Sequence, residues 1–258
     1  MQQIDPNIGT GFDGRIHLPG TDSASLVKTK QLQQVAAGMT SLREHGGVVI
    51  LDGPPGLGKT AATKVLGRKL NMEKRLIAMP NQPRGKETTA RILTALQGHQ
   101  PPMRRTEFEM LEDIVTLLSG QPVLLAIDEA QHLNRDSFRH FRYLQDHDRT
   151  NLLVVFVGVN VTGQMQRLCP ELLNRVQRTI RFTKLSKSEM VLFLKDYHPL
   201  YANTPSDVYP LLLKEIRGNL RNAAKLLSAA LDFGIEADGG FSLKTAKAVI
   251  LAVNGGPR

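Results

Sequence analysis

An apolar run, GVVILD (residues 47–52), breaks off into GPPGLGKT (53–60), and the residues after it fall into helical spacing. Few features limit a fold so tightly. A strand buried on both faces reads as a continuous apolar run, and the helix that follows it through a short glycine-rich turn must pack back onto a sheet. The pattern recurs along the chain. RLIAM (75–79), PVLLAID (122–128), LLVVFVG (152–158) and TIRF (179–182) read as strands, with helical stretches at 59–70, 87–97, 106–119 and 135–145 between them. The expected fold class is α/β, a five-stranded parallel sheet with crossover helices.

After TIRF the strand signals stop. KLSKSEM offers Ser186 as a helix cap with Glu189 three residues on, and helical patterns continue over 186–197, 206–217, 219–233 and 242–253. The expected organisation is an irregular N-terminal arm over 1–24, a nucleotide-type α/β domain over 25–185 and a small helical lid domain over 186–258. A chain of 258 residues is long enough to bury such a core. It carries 33 Lys and Arg against 24 acids, a net charge of +9, which suits a polyanionic partner or simply a basic soluble protein. Its single cysteine, Cys169, excludes an internal disulfide and reads as a small buried apolar residue of a cytoplasmic protein. No apolar stretch is long enough to span a bilayer, and the N-terminus lacks a signal core, so no membrane partner is expected.

GPPGLGKT matches the phosphate-binding loop G-x-x-x-x-G-K-[ST] in the strand–loop–helix setting the motif needs. Gly53, Pro54, Pro55, Gly56, Leu57 and Gly58 form the loop; Lys59, Thr60 and Ala61 open the helix. Glycines let successive N–H groups turn inward, and the helix N-terminus adds partial positive charge. Lys59 can reach the β- and γ-phosphates, and the Thr60 hydroxyl can sit on Mg²⁺. This is an ATP-type site. Asp128 and Glu129 end the third apolar run side by side. Beside a phosphate loop such a pair forms the second half of the site, Asp128 for Mg²⁺ and Glu129 for the attacking water, so Mg²⁺-dependent ATP hydrolysis is expected.

Three further residues are candidates. Asn160, after the fourth strand, can touch the γ-phosphate or the water, or it can merely close the strand into a turn. Arg175, in PELLNRVQRTIRF, sits where a helix end would aim it at a neighbour's nucleotide; the alternative is a surface arginine. Arg221, in GNLRNAAKLL, can swing back over the phosphates, or it can face solvent at an ordinary helix start.

In this order, phosphate loop, acidic strand, polar sensor, trans arginine and lid arginine, the chain from about 25 to 232 resembles an AAA+ ATPase. IDEAQHLN, FRHFRYLQD, VVFVG and LLNRVQRTIRFTKLS resemble the TnsC/TniB/MuB-like transposition regulators within that superfamily. The resemblance implies a ring or helical filament that coats double-stranded DNA with ATP, recruits a transposase and answers to a target selector, and lets go on hydrolysis. It also implies adenine packing near Leu26 and Val27. Asn160 departs from the small hydroxyl or acid of some relatives.

A DNA surface can be argued apart from the resemblance. PNQPRGKETTARIL offers Arg84 and Lys86, and PPMRRTEFEM offers Arg104, Arg105 and Thr106, each on a loop entering a helix. Basic side chains plus helix N-terminal amides suit phosphates without base preference. Two solvated basic loops are the alternative. Competing functions are a replication initiator or helicase loader, and a protein-remodelling or secretion-associated ATPase. The first would be expected to add a DNA-reading domain beyond the lid and the second a membrane or wall-binding segment, and neither is expected here.

Overall fold

The computed structural model of the protein describes residues 21, 23–37 and 40–255. Most of the arm expected over 1–24 therefore lies outside the described residues. By contact the described residues divide into two units, one made of 31–55 and 59–182, the other of 21–30, 56–58 and 183–255. The division falls at Phe182/Thr183, against the 185/186 expected from sequence, and the segment before Lys30 groups with the helices rather than the sheet.

The first unit is a five-stranded sheet of β1 (Gly47–Asp52), β2 (Glu73–Ala78), β3 (Val123–Asp128), β4 (Leu152–Gly158) and β5 (Val176–Arg181). Every pairing is parallel, in the order β2-β3-β4-β1-β5. Successive residues point to opposite faces, which explains the unbroken apolar runs. Val48, Ile50, Leu125, Ile127, Val154 and Phe156 join one core with Phe138, Phe141, Ile92 and Ile114 from the helices 85–97, 107–118 and 135–146. Val49, Leu51 and Val155, on the other face, are equally buried, and the helix Lys59–Leu70 contacts β3 and β4.

The outer strands differ from expectation. β2 begins at Glu73 and β5 at Val176, earlier than the apolar runs suggested, because both are edge strands with solvent-facing side chains. Short helices also form over 30–37, 40–45, 161–168 and 170–173, the last ending just before Arg175 as its placement at a helix end required.

The second unit is helical, with Lys187–Tyr197, Pro199–Ala202, Tyr209–Ile216, Leu220–Asp232 and Leu243–Val253 around a core of its own. Ser186 and Glu189 form the reciprocal capping box read from the sequence, and Ser242 and Thr245 form another. Tyr201 lies fully buried at the centre, its hydroxyl donating to the Ala223 carbonyl at 2.7 Å. Ala24 and Val27 pack on this core, whereas Leu26 is exposed.

Candidate functional site

In parallel α/β sheets, ligands gather at the carboxyl ends of the strands. Here the ends of β1, β4 and β5 are tied together by backbone bonds: Gly53 N–H donates to the Gly158 carbonyl at 3.1 Å, and Phe182 N–H to the Asp52 carbonyl at 2.7 Å. Gly53 has φ +149°, and any side chain there would collide with the Phe182 carbonyl, so only glycine lets the loop leave β1 this closely. Gly56 and Gly58 also hold positive φ. Lys59 is buried and its ammonium donates to the Gly53 and Pro54 carbonyls at 2.6 and 2.7 Å, bracing the loop across its base.

The Thr60 hydroxyl donates to Asp128 Oδ2 at 2.8 Å, and Glu129 N–H donates to Oδ1 at 3.0 Å. Burial pushes the Asp128 carboxyl up from its ordinary range, against the pull of these two bonds. A desolvated carboxylate touching a hydroxyl is a hard oxygen pair of the kind that Mg²⁺ takes with phosphate oxygens and water. Among the described residues no group of three or more His, Cys, Asp or Glu could hold a metal alone. The donors thus fit Mg²⁺ carried with a nucleotide rather than caged by protein.

Glu129 is exposed and holds a left-handed backbone, φ 56° and ψ 37°, as the chain leaves β3 for a short 3₁₀ turn, Ala130–His132. Asn160 holds nearly the same conformation, φ 52° and ψ 36°, between β4 and the helix Val161–Leu168. Side chains rarely adopt this geometry, and it concentrates at functional positions. Asn160 makes no capping bond to the helix it precedes; its side chain lies over Gly163.

Sequence reasoning missed Gln131. Its side-chain NH₂ donates to Glu129 Oε2 at 2.5 Å and its oxygen accepts from Val159 N–H at 3.0 Å. It missed Asp146 as well. Arg175 donates to both Asp146 oxygens, at 2.9 and 3.1 Å, and this fork holds the Asp146 carboxyl below its usual range. Val159 lies 28 residues from Gln131 and Asp146 lies 29 from Arg175, where no local pattern links them.

The basic loops meet, Lys86 donating to the Met103 carbonyl at 3.4 Å, but their residues do different work. Arg84 and Arg104 are exposed and, among the described residues, form no ion pair. Arg84 caps the helix 85–97 without a side-chain bond, leaving its first amides open. Arg105 is held by Asp113 at 2.7 Å, and Thr106 is locked into a capping box with Glu109. In the helical unit, Asn219 caps Leu220–Asp232, Arg221 N–H donates to the Gly56 carbonyl at 3.0 Å, and the Arg221 side chain is exposed. Cys169 is buried, with burial pushing its thiol up.

Residues 41–165 match the family model of an AAA domain. A curated relative, the ATP-dependent target DNA activator B of Escherichia phage D108, is 24% identical over 168 residues, covering 64% of this chain and 53% of the relative. The chain thus spans about half the length of that relative. The fold is that of AAA+ P-loop ATPases. The Aeropyrum pernix ORC1 protein in complex with DNA superposes with a TM-score of 0.68 at 18% identity, covering 92% of this chain and 68% of that one. The Thermotoga maritima RuvB Holliday junction branch migration motor does so with 0.57 at 17%, covering 86% and 67%. Among the described residues no helix is long and apolar enough to cross a membrane.

Proposed function

From the AAA-domain match, the AAA+-type fold and the likeness to a target DNA activator, we propose that the chain is an AAA+ ATPase of the MuB- and TnsC-like kind and that it acts in DNA transposition. It assembles with ATP on duplex DNA, engages a transposase and any target selector through that assembly, and is released by hydrolysis. The observation that carries the ATPase half is the contact of Thr60 with Asp128 at the end of β3, with Glu129 beside it. The likeness to a target DNA activator supports the DNA half.

Loop amides and Lys59 bind and orient the triphosphate, while Thr60 and Asp128 would hold Mg²⁺. When bound, the ion neutralises charge on the β- and γ-oxygens. Glu129 orients and polarises the attacking water from its exposed position at the strand end, and Asn160 contacts the γ-phosphate or that water. Arg175 acts on the nucleotide of a neighbouring subunit, exchanging for it the fork that its guanidinium makes to Asp146 within its own chain. Arg221 reports nucleotide state from the helical unit, and the adenine packs near Leu26 and Val27. DNA phosphates are met by Arg84, Lys86 and Arg104, with Arg105 and Thr106 keeping the second loop in shape.

Retention of a long random duplex tests this. Wild type should bind only with ATP, nearly blind to sequence, and lose affinity steeply with salt, by about 0.9 in log–log slope per neutralised phosphate. Glu129→Gln should bind ATP without turnover and stay on DNA; Lys59→Ala should fail at both. Sequence-selective binding would favour a replication initiator. No ATP-dependent DNA binding by wild type would reject the transposition reading.

A further inference from the structure

The end of β3 and the end of β4 are joined by one amide. Gln131 reaches back from the turn Ala130–His132, with its NH₂ on the Glu129 carboxylate and its oxygen on Val159 N–H. The polarity of this bridge is set by its partners, because a backbone N–H can only donate and an ionised carboxylate can only accept. Flipping the amide would lose both bonds.

Room for the bridge comes from Gly158. A side chain there would collide with the Gln131 oxygen and press within 2.8 Å of Val161 Cγ2. Gly158 is not at positive φ, so its want of a side chain serves space rather than backbone. The bridge also spans the two left-handed residues of the site, Glu129 at one end and Asn160 directly after Val159 at the other. Strain of this kind persists only where the surroundings hold it in place.

We propose that Gln131 is a positioning residue: it fixes the Glu129 carboxylate to the end of β4, in register with Asn160. The water-activating group and the phosphate-contacting group then move as one body. This rests on the assignment of Glu129 to the water. A carboxylate on a flexible stem samples several rotamers when untethered, and misplacement by about 1 Å can cost roughly 100-fold in rate. Nothing in the bridge touches the phosphate loop, so nucleotide affinity should not depend on it.

The test is steady-state ATP hydrolysis and ADP binding by the full chain with duplex DNA, for wild type, Gln131→Met, Gly158→Ala, the double variant and Glu129→Gln. Gln131→Met keeps length and bulk but removes both bonds. It should lower kcat by about 10–100-fold with KM for ATP and affinity for ADP unchanged. Gly158→Ala should lower kcat comparably, and the double variant should be no worse than the poorer single one, since both break the same bridge. A wild-type kcat in Gln131→Met would overturn the proposal, as would a raised kcat, which would mean that the amide restrains Glu129. Loss of ADP affinity in step with kcat would also overturn it, pointing to a structural role. Glu129→Gln separates the two levels. If it is inactive while Gln131→Met is normal, only the positioning role fails; if it turns over at the wild-type rate, the assignment of Glu129 fails and the bridge with it.

Discussion

The α/β unit and the helical unit treat local rules in opposite ways. At the strand ends of the first, Glu129 and Asn160 carry side chains on left-handed backbone, and Asp128 holds a carboxyl that burial pushes up. The second spends its polar groups on order. Ser186 pairs with Glu189 and Ser242 with Thr245 in capping boxes, and the Tyr201 and Tyr209 hydroxyls each donate to a backbone carbonyl at 2.7 Å. Its one non-glycine left-handed residue among those described, Arg217, ends a helix, a common place for that conformation. Departures of this kind at the strand ends of a rigid sheet are what the proposed site rests on, whereas the polar groups of the helical unit serve packing and capping.

The harshest way to break this comparison is to remove a packing residue from the helical unit. Tyr201 is fully buried among Tyr197, Tyr209 and Phe241, and Tyr201→Ala would leave a large cavity and remove the hydroxyl bond to the Ala223 carbonyl. A loss of about 3–5 kcal/mol is expected by analogy with other aromatic truncations, read as a lowered melting transition. A change below 1 kcal/mol on the same scale would mean that this unit is not held by its core.

How much of this was legible follows the reach of each signal. The phosphate loop, Asp128 and Glu129 were readable because strand, loop and helix start are contiguous and their chemistry depends on the backbone. The central strands were readable because both faces are buried. The start of β5 was not, since Val176, Gln177 and Arg178 lie on an edge strand and carry no apolar pattern. The helix Lys30–Ala37, with the polar sequence KQLQQVAA, likewise gives little sign of a core-facing side, yet Val35 is fully buried. Gln131 to Val159 and Arg175 to Asp146 join residues that only the fold brings together.

A smaller effect sharpens the comparison through one residue type. In a helix, Gly is less stable than Ala by about 1 kcal/mol, so Ala229→Gly in Leu220–Asp232 should destabilise by about that amount. At position 129 the order should reverse. Both Glu129→Ala and Glu129→Gly lose the bond to Gln131, but only Gly relaxes at φ 56°, so the Gly variant should be the more stable by about 1 kcal/mol. Paired denaturant melts read this difference directly. Equal stabilities would show that Glu129 is not strained.

The smallest effect lies in opposite responses to acid. Lys30 and the N–H and hydroxyl of Ser186 hold the Glu189 carboxyl down to about 2, from an ordinary value of 4.5. A carboxyl depressed in the fold stabilises the native state above its unfolded pKa and loses that contribution as pH falls toward the folded one. The deficit of Glu189→Gln relative to wild type should therefore be full at neutral pH and shrink between pH 4.5 and about 2. Because the ion pair is exposed, it should shrink further in salt. Asp128 is displaced the other way. Its raised carboxyl binds a proton more tightly in the fold than in the unfolded chain, so the ionised group costs stability at neutral pH and the cost fades on acidification. Asp128→Asn keeps one acceptor for Thr60 and removes the buried charge. Its stability relative to wild type should be highest at neutral pH and fall as pH drops through the raised carboxyl's range, while Mg²⁺-dependent turnover is lost. Thermal melts of both variants against wild type from pH 7.5 down to about 2.5 test the pair together. Parallel pH trends in the two variants would show that the strand-end carboxylate is not held at a cost, and would remove the electrostatic half of the contrast between the units.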